Sequence, residues 1–205
     1  MEVFYWHGAV MALAWLVLLP AGALIARFYK VRPGQDFPRQ LDDRFWWNTH
    51  RILQCLGAGL AALAAWWAYD ARGGEIDWPL LHVQLGAAAL ALCAGQIITP
   101  LARGTKGGPT DEFADPNDPL TWRGDHYDMS LRRRLFEAWH KNGGYAAMAL
   151  GVGAVWTGIG LAGLEDWWKT GVVASVVVCT VLFVRLSLQG RRVDTWLAIW
   201  GPDGR

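Results

Sequence analysis

The chain has 205 residues, 53% of them hydrophobic, with 14 Trp, 24 Gly and a formal net charge of +1. Apolar content this high, gathered into long uncharged runs, excludes an ordinary soluble domain. Lipid is the expected surrounding, and nucleic acid is not an expected partner.

Uncharged stretches run from Val3 to Ala26, Ile52 to Tyr69, Trp78 to Ala102 and Asn142 to Leu164. Each is near or above the roughly 18 residues that a spanning helix needs. A fifth, Thr170 to Val184, reaches Gly190 if Arg185 snorkels to the headgroups. The fold class is therefore an all-α integral membrane protein with five transmembrane helices. They are expected at about 4–27, 45–69, 79–101, 135–164 and 168–189. Together they form one transmembrane domain, 1–190, followed by a tail, 191–205.

The opening run lacks a basic segment and a small-residue cleavage site, so it reads as a retained helix rather than a signal peptide. Tyr5 and Trp6 anchor it at the interface, and Pro20-Ala21-Gly22 is placed to bend it or admit a close neighbour. Breakers at Pro33-Gly34 and Phe37-Pro38 make the next loop irregular. The second helix starts near Phe45-Trp46-Trp47, and a short turn at Gly73-Gly74 leads to Trp78-Pro79 and the third. The long loop 103–134 carries Gly104-Thr105-Lys106-Gly107-Gly108-Pro109-Thr110, without the spacing of a phosphate-binding loop. A partner-contact surface or a solvated connector is the expectation there. The fourth helix is rich in glycine, and the fifth, rich in Val, reads as lipid-facing.

Cations set the orientation. Arg27, Lys30, Arg32, Arg39 and Arg44 lie between the first two spans; Arg103, Lys106, Arg123, Arg132, Arg133 and Arg134 follow the third; Arg191, Arg192 and Arg205 follow the fifth. The other loops hold only Arg72 and Lys169. The positive-inside rule puts the N-terminus outside and the C-terminus in the cytoplasm, with a bacterial inner membrane as the expected location.

Four spans carry one histidine each near their start: His7, His50, His82 and His140. An ionisable residue in lipid is expensive, so this repetition asks for a function. Alternating helix direction puts His7 and His82 at the outer side and His50 and His140 at the inner side. Two facing imidazoles supply both axial positions of an iron macrocycle, a ligand set suited to electron transfer. Gly86 and Gly144 lie four residues after His82 and His140, on the same helix face, and leave room for the ring. Gly22, Gly95, Gly158 and Gly160 lie at helix ends that border the two rings. Arg51, Lys141 and Arg27 are placed to meet inner propionates; Arg72 and Lys169 are the outer cations. Cys55, Cys93 and Cys179 read as buried small hydrophobes, and without a Cys-x-x-Cys-His run a covalent c-type haem is excluded. His126 lies in a polar loop and reads as solvated. Two other readings stand beside this one: a histidine-based proton or metal transporter, and a non-redox helical subunit packed onto a larger membrane complex.

The run His7 to Arg27, with His50-Arg51-Ile52-Leu53-Gln54, His82 to Gly86, and His140-Lys141-Asn142-Gly143-Gly144-Tyr145, resembles the four core helices of the cytochrome b561 family. It is most similar to the branch often fused to DOMON domains, over about Phe4 to Gln189. The resemblance implies a four-helix core holding two non-covalent b-type haems, ligated between the first and third and between the second and fourth helices, with one further C-terminal helix. It also implies transmembrane oxidoreduction, with ascorbate or a quinol as candidate donor. No DOMON domain is seen here, so a soluble or membrane redox partner is expected to be a separate chain. A place in a larger complex or a homodimer is open.

Overall fold

A computed structural model of the chain describes residues 2–37 and 44–201. Pro38, Arg39 and Arg205 of the sequence reading lie outside the described residues. The described chain is all helical, and five helices are long and apolar enough to cross a membrane. They are α1 (Glu2–Phe28), α2 (Arg44–Ala71), α3 (Leu81–Ile98, extended by a 3-10 turn to Ala102), α4 (Leu131–Leu161) and α5 (Trp167–Leu188).

Local chemistry sets the ends. Pro79 falls in the turn before α3, with Leu80 extended as its cap. The start of α4 is Leu131, earlier than the expected 135, because the Ser130 hydroxyl accepts the Arg133 N–H at 3.2 Å. Arg132, Arg133 and Arg134 thus belong to a helix, not a loop. Beyond Leu161 the helix closes through Gly163 at φ +64°, a left-handed turn that favours glycine.

Inside α1, residues Ala14–Leu18 form a π-helical turn just ahead of Pro20. Proline has no N–H to offer the carbonyl four residues back, which is that of Leu16. The Ser175 hydroxyl of α5 donates to that carbonyl instead, at 2.8 Å. The bend expected at Pro20 is thus a π turn with an interhelical repair, as spanning helices require.

Helices α1 to α4 pack as a bundle, most extensively α3 on α4 and α1 on α2. Their shared core holds Ala14, Trp15, Leu19, Ala61, Ala89, Cys93 and Ala147. Small residues let the backbones come close. Helix α5 packs on the outside of α1 and α4; Val172 is its buried residue, and its other valines face outward.

The long loop is built rather than solvated. Trp122 and Tyr127 are fully buried, and Phe37, Ala114 and Ile199 pack on them. Asp125 accepts from the Thr105 N–H (2.8 Å), the Thr105 hydroxyl (3.0 Å) and the Ser130 hydroxyl (2.6 Å). These bonds hold its carboxyl down to about 2. Gly108, at φ +82°, passes so near the Tyr127 ring that no side chain fits. The tail adds α6 (Thr195–Trp200), whose Trp200 indole N–H donates to the Tyr127 carbonyl at 3.0 Å. The tail is therefore docked on the loop.

Candidate functional site

The four histidines meet in two pairs. The rings of His7 (α1) and His82 (α3) have centroids 6.0 Å apart at 77°. Those of His50 (α2) and His140 (α4) are 6.2 Å apart, also at 77°. Two imidazoles on one iron need about this spacing: iron–nitrogen bonds near 2 Å on each side plus the distance from each nitrogen to its ring centre. The pairs lie toward opposite ends of the bundle.

Backbone carbonyls orient the rings. His7 Nδ1 lies 2.8 Å from the Ala64 carbonyl, His82 Nδ1 2.9 Å from that of Ala154, and His50 Nδ1 3.0 Å from that of Gly22. In each case an Nδ1–H donated to the carbonyl leaves Nε2 as the free lone pair, the usual arrangement around ligating histidines. His140 differs: its Nδ1 is buried without a hydrogen-bond partner, and Phe136 stacks on its ring at 5.2 Å and 24°. Among the described residues no group of three or more His, Cys, Asp or Glu side chains gathers as a metal site. A haem ligated by its protein on both faces needs two donors and no cluster of three, so the paired donor set fits that group.

Comparison with known proteins follows the same line. Over 199 residues the chain is 30% identical to ferric-chelate reductase 1 of Homo sapiens, covering 92% of this chain and 29% of that protein. It is 27% identical over 194 residues to a cytochrome b561, DM13 and DOMON domain-containing protein of Arabidopsis thaliana, covering 91% of this chain and 18% of that one. A cytochrome b561 and DOMON domain-containing protein of the same plant is 24% identical over 184 residues, 88% and 38% of the two chains. The chain is a homologue of the cytochrome b561 proteins. It spans between 18% and 38% of the length of these curated relatives. No family model and no solved structure matches it.

Around the pairs, this b561 homologue places the other expected residues unevenly. Nothing lies within 4 Å of a side chain added at Gly86 or Gly160. One at Gly144 would meet Gln96, and one at Gly158 the His82 ring, at 3.0 Å from Cε1. Gly95 faces Trp139. Gly22 is not open: the Gln54 amide fills its face and itself donates to the Leu19 carbonyl at 2.9 Å. Arg51 lies over the Trp47 ring, as does Arg103. Lys141 pairs with Glu137 at 2.6 Å, sharing that carboxylate with Arg133 at 2.9 Å. Arg27 packs against Phe183 and reaches the Tyr145 hydroxyl at 3.3 Å. At the other end Arg72 pairs with Asp77 and Lys169 with Asp166. Of the cysteines, Cys93 is buried while Cys55 is exposed on the bundle exterior, against the expectation for it.

His126 is not solvated. Its side chain is 12% exposed, beside Tyr127 and 4.0 Å from Glu137. Burial first, then Arg133 and Lys30, push its imidazole down to about 3, so it is neutral and the Glu137 contact is not an ion pair. Burial likewise lowers Lys30 to about 8, against the upward pull of Glu137.

Gln54 and Gln96 escaped the sequence reading. Both amide atoms of Gln96 are buried without partners, beside Gly143 and Gly144. Their signal was an uncharged amide inside a spanning helix, Gln54 ten residues into α2 and Gln96 six residues before the end of α3.

Proposed function

We propose that the chain is a dihaem b-type cytochrome that carries electrons across a membrane. His7 and His82 hold one haem and His50 and His140 the other. The observation that carries the reading is the pairing itself: four histidines from four spans, two by two at opposite ends, spaced for a shared iron. An iron held by two imidazoles has no open position and passes single electrons, with its potential set by ligands and surroundings. Everything else the chain supplies is placement. The Ala64, Ala154 and Gly22 carbonyls fix three imidazoles in one tautomer and orientation. Gly86 and Gly144 leave space beside the rings, and Arg51 and Lys141 supply positive charge for propionates at the His50/His140 end.

In this reading residues 1–190 act as the electron-carrying unit, with the N-terminus outside and the His50/His140 end on the cytoplasmic side of an inner membrane. The uneven distribution of cations between the loops supports that orientation. Relatives named ferric-chelate reductases support a chelated ferric ion as one class of acceptor. Ascorbate or a quinol is the class of donor, and a separate chain is the class of redox partner.

The test is a reduced-minus-oxidised visible spectrum with haem quantitation on the purified full chain. Two low-spin b haems per chain are expected. A chain that folds without haem refutes the reading.

A further inference from the structure

Between the two histidine pairs the buried core holds one aromatic ring, that of Trp15. Ala14, Ala89 and Ala147 of the core cluster each lie seven residues, about 10 Å of helix, beyond His7, His82 and His140 respectively. The layer they form is therefore roughly equidistant from both ends. Trp15 lies beside it at 2% exposure, its ring against Gly151, one turn of α4 beyond Ala147 toward the His7/His82 pair, and the other buried members of the cluster are aliphatic or Cys93.

Two features hold that ring in place. Gly151 of α4 lies flat against it, so close that a methyl group there would overlap the indole. The π turn at Ala14–Leu18 includes Trp15, and Ser175 pins the turn through the Leu16 carbonyl.

We infer that Trp15 bridges the two haems in the electron path, an inference that rests on the dihaem reading above. One electron leaves one iron, which is oxidised, and arrives at the other, which is reduced. No bond forms or breaks, no proton moves, and the indole keeps its own electrons. Electron tunnelling decays more steeply across a void than through packed atoms. The delocalised ring in contact with Gly151 closes the gap that an aliphatic side chain would leave.

The experiment uses the haem-loaded full chain in liposomes. A membrane-impermeant photoreductant outside delivers a single-electron pulse, and the rise of the second haem's reduced spectrum is timed without turnover. A His50→Ala chain, keeping the His7/His82 haem, identifies which spectrum belongs to which pair. Haem content and a redox titration accompany every variant. Trp15→Leu should slow internal equilibration by about tenfold through the void it leaves, with two haems retained and both potentials unchanged. Trp15→Phe should recover most of the rate. A Trp15→Leu chain as fast as wild type overturns the inference, and so does Trp15→Phe as slow as Trp15→Leu. If Trp15→Leu loses haem, Gly151→Ala displaces the ring without deleting it, and an unchanged rate there overturns the inference. A wild-type chain with fewer than two haems overturns the dihaem reading and this inference with it, whereas two haems with an indifferent Trp15 overturn only the inference.

Discussion

Gly158→Ala offers a narrow test of how the His7/His82 pair is held. A methyl group at 158 would sit 3.0 Å from His82 Cε1 and 3.1 Å from Nδ1, closer than ordinary van der Waals contact. The imidazole must retreat by a few tenths of an ångström, pulling Nδ1 from the Ala154 carbonyl that now lies 2.9 Å away. Losing such an outer-shell bond typically costs 10- to 100-fold in metal affinity, or about 1.4–2.8 kcal/mol. Gly160→Ala is the control. It makes the same helix-favouring change, worth up to about 1 kcal/mol, where nothing lies within 4 Å. Titrating haem into the apo chain should show one weakened site in Gly158→Ala and two normal sites in Gly160→Ala. Equal affinities in the two variants, or weakening at the His50/His140 site, would refute the proposed role of the Ala154 carbonyl.

Further expectations follow from the same geometry. His7→Ala or His82→Ala should lose one haem and keep the other, His50→Ala or His140→Ala should do the reverse, and His126→Ala should keep both; pigment quantitation decides. Ser175→Ala strands the Leu16 carbonyl and should cost about 1 kcal/mol of stability, read as a lower unfolding temperature in detergent at unchanged haem content. Gly108→Ala places a side chain in the Tyr127 ring at φ +82° and should expose the 104–130 loop to protease while the spans stay resistant. Acid should open that loop as well. His126 binds its proton near pH 6.5 when unfolded but at about 3 when folded, so the unfolded form holds more protons in between and stability falls as pH drops through that window. Asp125, lowered to about 2 from 3.8, acts in the same direction at the bottom of the range. Loop proteolysis should therefore rise from pH 7 to pH 4, and the rise should flatten in His126→Gln.

The apolar runs, the loop cations and four histidines at matched depth were enough to read five spans and two pairs from the sequence. Lipid imposes one rule on every residue of a span, and a helix converts sequence position directly into depth. The structure agrees on the spans and brings the histidines together in the expected pairs.

What escaped was decided between segments distant in sequence. No local pattern says that Ser175 answers Pro20, since the carbonyl to be repaired and its donor lie 159 residues apart. The polar loop read as a connector because its composition is polar; yet the burial of Trp122 and Tyr127 depends on Phe37 and Ile199, from either side of it in the chain. His126 read as solvated for the same reason and is roofed by that small core. Gly22 read as bordering a ring, whereas the Gln54 amide fills its face. Depth and direction were in the sequence because each is a property of one helix in lipid. Which atom meets which was settled only by packing, where a hydrogen bond or a filled gap depends on two chain segments at once.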